Sequence, residues 1–373
     1  MHILIPTGIF HPESGGPATY LYRLIPELLA RGHTAEVITF GEDTTTGYPY
    51  PVTRIPRNHL AVRNWRYYRA VQQRLKHADL VFINSLGLPL PRIRQPKLLK
   101  VVGDLAWERA LYRGLLPPTE DIDHFQTARY TPMINWLKYS RARDAQRADQ
   151  VIVPSNYLRQ MVIGWGVLPQ RVKTIYNALE PIQTDTRATN RASLGLPENV
   201  PLLLTVARLT AWKGIDRVLQ AMADLPDVHL VIAGTGATMD ELQQLTHQLN
   251  LTQRVKFLGK VPHEQLGNYY AAADYTLLYS GYEGLSHVIL ESLNLGTPVI
   301  ASDKCGNPEI VQPGVNGFLA PYPDVAALRQ VIAQACAGET PRQIRTTTRL
   351  DLDKFGWQRL VNETIGVMET LIK

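Results

Sequence analysis

Short runs rich in Val, Ile and Leu alternate with amphipathic segments along nearly the whole chain. HILIPTG (2–8), AEVITF (35–40), DLVFINS (79–85), KLLKVVGD (97–104), QVIVPSN (150–156) and VKTIYNA (172–178) predict strands in the first half. PLLLTVARL (201–209), VHLVIAGTG (228–236), VKFLGKV (255–261), YTLLYS (275–280) and PVIASD (298–303) predict strands in the second. Several are nearly continuous in apolar residues, the pattern of strands covered on both faces. Helical patterns lie between them, such as ATYLYRLIPELLARG (18–32) and TMDELQQLTHQLN (238–250). This alternation predicts parallel, doubly wound sheets in an α/β chain. Pro26 falls inside the first helical pattern and predicts a kink or break there.

The polar, Pro/Thr-rich stretch 180–201 interrupts the alternation and reads as a linker between domains. It divides the chain into a domain over 1–180, a second over 181–350 and a terminal helical segment over 351–373, consistent with 373 residues. The two doubly wound domains are expected to face each other across a cleft, with ligands outside the carboxyl ends of the strands. Asp351 and Asp353 stand just before the last helix, where an N-cap belongs.

Composition, with 45% hydrophobic and 19% charged residues, is that of a soluble globular protein. No apolar run approaches the length of a transmembrane helix. The amino terminus, MHILIPTGIFHPE, has no basic leader and reads as a first strand, so a cytoplasmic protein is expected. Two cysteines imply neither a disulfide framework nor a cysteine metal site. The net charge of +6 is uneven: residues 1–180 hold 23 Lys and Arg against 14 Asp and Glu, residues 181–373 hold 16 against 19. The basic residues gather in 57–76 and 138–147. They fit solvated helix faces, or a half that meets an anionic membrane surface. No zinc-finger spacing or RNP-type motif is present, so nucleic acid is not an expected partner.

Candidate chemistry concentrates in the second half. TVARLTAWKGID (205–216) ends a strand with Arg208 and then Lys213, two cations that fit a diphosphate clamp or a salt-bridged surface. VIAGTG ends a strand in Gly234 and Gly236; this turn suits close approach of a phosphate, or only the local geometry. In YTLLYSGYEGLSHVILESLNLG a strand, a loop and a helix follow in order, with Gly296 as the helix stop. The N–H groups of Gly284, Leu285 and Ser286 are expected as donors at the helix start. Glu283 there would repel a phosphate but suits sugar hydroxyls. Glu291, on a largely apolar helix, needs donors to offset burial, and ribose hydroxyls or a buried protein donor would serve.

The motifs ARLTAWKG, VIAGTG, FLGKVPHEQL (257–266), GYEGLSHVILE and PEIVQPGVNGFLA (308–320), with the amino-terminal GIFHPESGGPATYLYRLIPELLARGHTAEVIT, occur in the order of the retaining, nucleotide-sugar-dependent glycosyltransferases of group 1. The chain resembles that family over nearly its whole length. The resemblance implies a GT-B fold of two Rossmann-like domains. It implies a donor diphosphate held by Arg208, Lys213 and the helix start at Gly284, Leu285 and Ser286. Glu283 would hold the donor sugar, Glu291 the ribose, and Lys260–Val261 would border the base. Gly15 and Gly16 would close over the donor phosphate and acceptor. The last helix would cross back to the first domain, with Trp357 where it begins.

One departure stands out. Many members carry a histidine at the end of the strand matching KLLKVVGD, where this chain has Gly103–Asp104. Asp104 takes the catalytic place in this reading, or caps the following turn. Asp121–Asp123 and Asp351–Asp353 have Asp-x-Asp spacing, but no strand leads into either. The expectation is therefore a retaining, metal-independent sugar transfer from a nucleoside diphosphate sugar to a hydroxyl of a lipid, glycan or small molecule. No cofactor beyond the donor is expected. A sugar-nucleotide epimerase on the same fold and a non-catalytic sugar-nucleotide-binding protein are the alternatives. Donor incubated alone separates them: the first epimerises it, the second leaves it intact.

Overall fold

The structure, a computed structural model, describes residues 1–13, 15–42, 47–179 and 191–372. Most of the expected linker, 180–190, lies outside the described residues. The chain divides into two units. The first holds Met1–Leu115, Gln126–Tyr176 and the chain from Gln358 onward; the second holds Leu116–Phe125 and Asn177–Trp357.

The first unit is built on strands β1 (His2–Pro6), β2 (Thr34–Phe40), β3 (Val52–Ile55), β4 (Leu80–Ile83), β5 (Lys97–Lys100), β6 (Gln150–Val153) and β7 (Val172–Thr174). Their order is β3-β2-β1-β4-β5-β6-β7, all parallel. The helices of this half of the chain are α1 (Gly16–Ala30), α2 (Leu60–Arg74), α3 (Leu105–Tyr112), α4 (Ile122–Thr127), α5 (Pro132–Gln146) and α6 (Asn156–Gly164). β1 and β4, in the middle of the sheet, are almost wholly buried (Ile3, Leu4, Ile5, Leu80, Val81 and Phe82), as the continuous apolar runs require. Of the expected kink or break at Pro26, the break does not occur: α1 continues through it. Pro26 and Tyr22, the residue four earlier, lie on the solvent side, so water can serve the carbonyl that a proline leaves unpaired.

The second unit carries β8 (Leu202–Val206), β9 (His229–Ala233), β10 (Val255–Gly259), β11 (Tyr275–Leu278), β12 (Val299–Ser302) and β13 (Gly317–Ala320). They order as β10-β9-β8-β11-β12-β13, again all parallel. α7 (Ile215–Met222), α8 (Met239–Gln248), α9 (His263–Ala272), α10 (His287–Asn294), α11 (Val325–Ala335), α12 (Thr340–Thr347) and α13 (Leu352–Phe355) follow. The last helix, α14 (Trp357–Ile372), belongs to the first unit from Gln358 onward. There Gln358 donates to Glu27 at 3.2 Å and Arg359 to the Tyr176 carbonyl at 3.0 Å. Trp357 is buried, and its N–H donates to the Leu179 carbonyl at 3.1 Å.

β3 and β13 were not among the predicted strands. Both are four-residue edge strands. β3 is mostly half-exposed and β13 opens with glycine, so neither shows the apolar run that marks a central strand.

Candidate functional site

The second unit gathers its chemistry at the carboxyl ends of its central strands β8 and β11. After β8 the chain makes one 3-10 turn, Ala211–Lys213, and reaches Gly214 at φ 63°. A Cβ on Gly214 would stand 2.2 Å from the Tyr279 carbonyl oxygen, so only glycine lets this loop lie against the end of β11. The Gly281 N–H donates to the Trp212 carbonyl at 2.8 Å and ties the two loops together. This juxtaposition brings Lys213 onto Glu283. The ammonium donates to the carboxylate, with 16% and 14% of the two side chains exposed. Glu283 is thus not a bare negative charge, because a cation in contact cancels most of its field. Arg208 is exposed just beyond β8 and enters no salt bridge among the described residues.

The helix after Glu283 starts later than the sequence suggests. α10 opens at His287, and Ser286 is its N-cap, its Oγ accepting from the Ile289 N–H at 3.3 Å. Its first-turn donors are therefore those of His287 and Val288 rather than of Gly284 and Leu285. The reason is chemical: serine offers a capping oxygen, whereas glycine and leucine have none. Gly284 and Leu285 lie in the preceding loop, where the Leu285 carbonyl accepts from Asn177 Nδ2 at 3.1 Å.

Glu291 has the donors its burial demands. The Tyr270 hydroxyl donates to one oxygen at 3.0 Å, and His263 Nε2 stands 3.1 Å from the other. Burial, reinforced by the Glu291 charge, holds the Tyr270 phenol well above its ordinary pKa, so it stays a donor. Both partners sit on α9, which Lys260 and Val261 precede. Nearby strand ends present more polar atoms: Thr210 Oγ1, Ser280 Oγ and Asn307 Oδ1 are buried without a hydrogen-bond partner among the described residues. They follow β8, β11 and β12 respectively. Buried polar atoms are normally paired, with protein or with ordered water.

Other expected residues do different work. A Cβ on Gly234 would stand 1.8 Å from the Ala207 carbonyl oxygen, and one on Gly236 2.0 Å from that of Leu209. The Gly234 N–H is taken by the Gly259 carbonyl at 2.7 Å. Strand-end packing therefore requires glycine at both positions, whatever else the turn does.

In the first unit, Gly15 caps α1, its carbonyl accepting from Ala18 and Thr19 at 3.0 Å each, and Gly16 is the first helical residue. Asp104 shows the capping geometry that its place before α3 offers beside a catalytic part. Its side chain is fully buried and caps α3, Oδ1 accepting from Ala106 and Trp107 N–H groups at 2.9 and 3.1 Å. Oδ2 accepts from Gln126 Nε2 at 2.8 Å and pairs with Arg141. Arg141 in turn lies 4.2 Å over the Trp165 ring. With both oxygens engaged, Asp104 is a structural hub. Asp121 and Asp123 face Lys304 at 3.4 and 3.3 Å, and Asp351 caps α13.

The contributions of Trp212, Tyr270 and His263 escaped the sequence reading. His263 lies within the motif FLGKVPHEQL, but only its distance to Glu291 assigns it a part.

Residues 186–350 match the family model described as glycosyl transferases group 1, and residues 14–182 match that of glycosyltransferase family 4. An uncharacterised glycosyltransferase of Methanocaldococcus jannaschii is 32% identical over 230 residues, 58% of this chain and 59% of the relative. A D-inositol 3-phosphate glycosyltransferase of Mycobacterium tuberculosis is 31% identical over 230 residues, covering 59% of this chain and 48% of the relative. The match thus spans 48% to 59% of the length of these curated relatives. Among solved structures, sucrose-phosphate synthase from Thermosynechococcus elongatus superposes with a TM-score of 0.80 at 22% identity, over 99% of this chain and 98% of that one. HepE of Anabaena, solved with UDP and glucose, gives 0.77 at 22% identity, over 99% and 100%. Two parallel Rossmann-like sheets, these superpositions and family matches over both halves agree: the chain belongs to the group 1 glycosyltransferases and has the GT-B fold.

Proposed function

We propose that this chain transfers a hexosyl group, with retention and without a metal ion, from a nucleoside diphosphate sugar to a hydroxyl acceptor on a lipid, glycan or small molecule. The observation that carries the reading is the Lys213–Glu283 pair, held between two strand-end loops beside the start of α10. Breaking the bond between sugar and diphosphate places negative charge on the leaving phosphate and positive charge on the ring. Arg208, Lys213 and the N-terminus of α10 stabilise the first as it develops. Glu283 accepts from a sugar hydroxyl while Lys213 screens it from the phosphate. Glu291, oriented by Tyr270 and His263, takes the ribose hydroxyls. HepE was solved with UDP and with UDP-glucose, which makes a uridine diphosphate sugar the first donor to try.

The test is a thermal-shift panel of sugar nucleotides, followed by UDP release with and without EDTA and by the anomeric configuration of the product. An epimerised donor with no acceptor present would sink the transfer reading. An inverted product would remove retention, and loss of rate in EDTA would remove metal independence.

The reading includes a cytoplasmic enzyme held peripherally at an anionic leaflet. No helix among the described residues is long and apolar enough to cross a membrane. The basic helices α2 and α5 expose Trp65 and Trp136, at 62% and 61%, and exposed aromatics beside arginines suit a lipid interface. Equal binding to anionic and neutral vesicles would return these helices to ordinary surface.

A further inference from the structure

We infer that the first unit carries a binding site for an amphipathic anion, an apolar chain ending in a phosphate-like group, beneath the loop that joins β4 to β5. α1 joins β1 to β2, α2 joins β3 to β4, and α6 joins β6 to β7. Between β4 and β5 there is no helix, only residues 84–96. β4 and β5 are parallel neighbours, so this loop must run back along the sheet from one end of the strands to the other. A crossover helix would fill that space with side chains; a thin loop leaves it open. The result is a cavity of about 630 Å³, within the usual range of small-molecule sites.

The lining has two characters. Ile83 and Leu99 from the strands, with Leu86, Leu88, Leu90 and Ile93 from the loop, make it apolar. Four cations also border it, Arg92, Lys97, Arg143 and Arg147, against the single acid Asp144. Lys97 is paired with Asp149 at 2.7 Å and Arg143 stands 3.7 Å from Asp144. Arg92 and Arg147 enter no salt bridge among the described residues. Arg143 and Arg147 are one turn apart at the end of α5, so both can address one group.

Cations at a helix end complement its dipole, but that explains neither Arg92 on the loop nor the cavity. A guanidinium fork matches the oxygens of a phosphate, and the apolar lining matches an alkyl chain. Asp144 opposes the anion. Its oxygen accepts from the Gly87 N–H at 3.3 Å and Arg143 stands 3.7 Å away, and these partners offset part of its charge. The chemistry fits a lipid phosphate in a membrane and a free alkyl phosphate equally. The site is read by binding alone and does not rest on sugar transfer.

The probe is dodecyl phosphate below its micelle concentration, titrated calorimetrically into the full chain beside dodecyl maltoside and inorganic phosphate. Dodecyl phosphate should bind at least about tenfold more tightly than either. Replacing both Arg143→Ala and Arg147→Ala, at exposed positions, should cost about tenfold or more, and Asp144→Asn should tighten binding. A photoreactive alkyl phosphate should label the wild-type chain within residues 84–96, a result independent of any variant's folding. Capture on phosphatidic acid vesicles that the double arginine variant loses would identify the lipid source. Binding of the soluble probe without capture would identify a free alkyl phosphate. Equal affinity for phosphate and maltoside headgroups, an unaffected double variant, or labelling elsewhere would each overturn the site.

Discussion

Lys213→Ala tests the centre of the proposed site, because the ammonium there has two tasks. It faces the expected diphosphate, and it pairs with Glu283 with little solvent around either group. Losing a preorganised charge at the developing phosphate costs about 3–4 kcal/mol, or 10²–10³-fold in turnover. The same change uncovers the Glu283 carboxylate, which then repels the donor it is meant to hold. The two effects separate in a cycle with Glu283→Gln. If repulsion contributes, Lys213→Ala/Glu283→Gln should bind donor more tightly than Lys213→Ala while remaining slow. Folding should suffer less in the double variant as well, because no unpaired carboxylate remains among buried groups. The assays are UDP release under saturating donor for kcat, calorimetry for donor affinity, and thermal unfolding for stability. Near wild-type kcat in Lys213→Ala would refute the clamp. Identical donor affinity in the single and double variants would refute the screening of Glu283 by Lys213.

Glu291→Ala should weaken UDP binding by about 10–100-fold, the worth of one or two hydrogen bonds to a charged group, and Tyr270→Phe by less; calorimetry giving wild-type affinity for Glu291→Ala would make this carboxylate purely structural. Asp104→Ala should destabilise the chain by about 3–5 kcal/mol by stranding Arg141, seen in chemical unfolding, while kcat below the new melting midpoint stays near wild type; lost turnover in a folded variant would restore a catalytic part to Asp104. Lys100 is buried, its ammonium 3.2 Å from the Tyr20 ring centre, and burial lowers its pKa from 10.5 to about 7. Between those values the unfolded chain binds more protons, so Lys100 makes stability rise with pH by up to about 1.4 kcal/mol per unit. Lys100→Met should therefore stabilise most at pH 7 and below, with the gain fading toward pH 10; parallel melting curves for the two proteins across that range would contradict this.

Much of the fold was legible because central parallel strands must be apolar along their length. That single requirement marks β1, β4, β8 and β11 in the sequence. It fails for β3 and β13, whose edge positions ask for no such run. Within the site, the glycine-flanked Glu283, the second glutamate at position 291 and the Gly296 stop were readable from local spacing alone. The start of α10 was misplaced by a few residues, because capping by Ser286 competes with the looser signal of a glycine.

The sequence alone therefore determined the two doubly wound sheets, the order of motifs and the demand that Glu291 find donors. Tertiary structure decided what meets what. Lys213 reaches Glu283, 70 positions away, because β8 and β11 are neighbours and Gly214 lets their loops touch. Asp104 became a buried cap because α5 delivers Arg141 to it. The space under residues 84–96 exists because a loop replaced a helix between adjacent strands. Periodicity records which face of an element is buried. It does not record which distant element lies on that face, because strand order and close backbone contacts are set by the packing of the whole sheet.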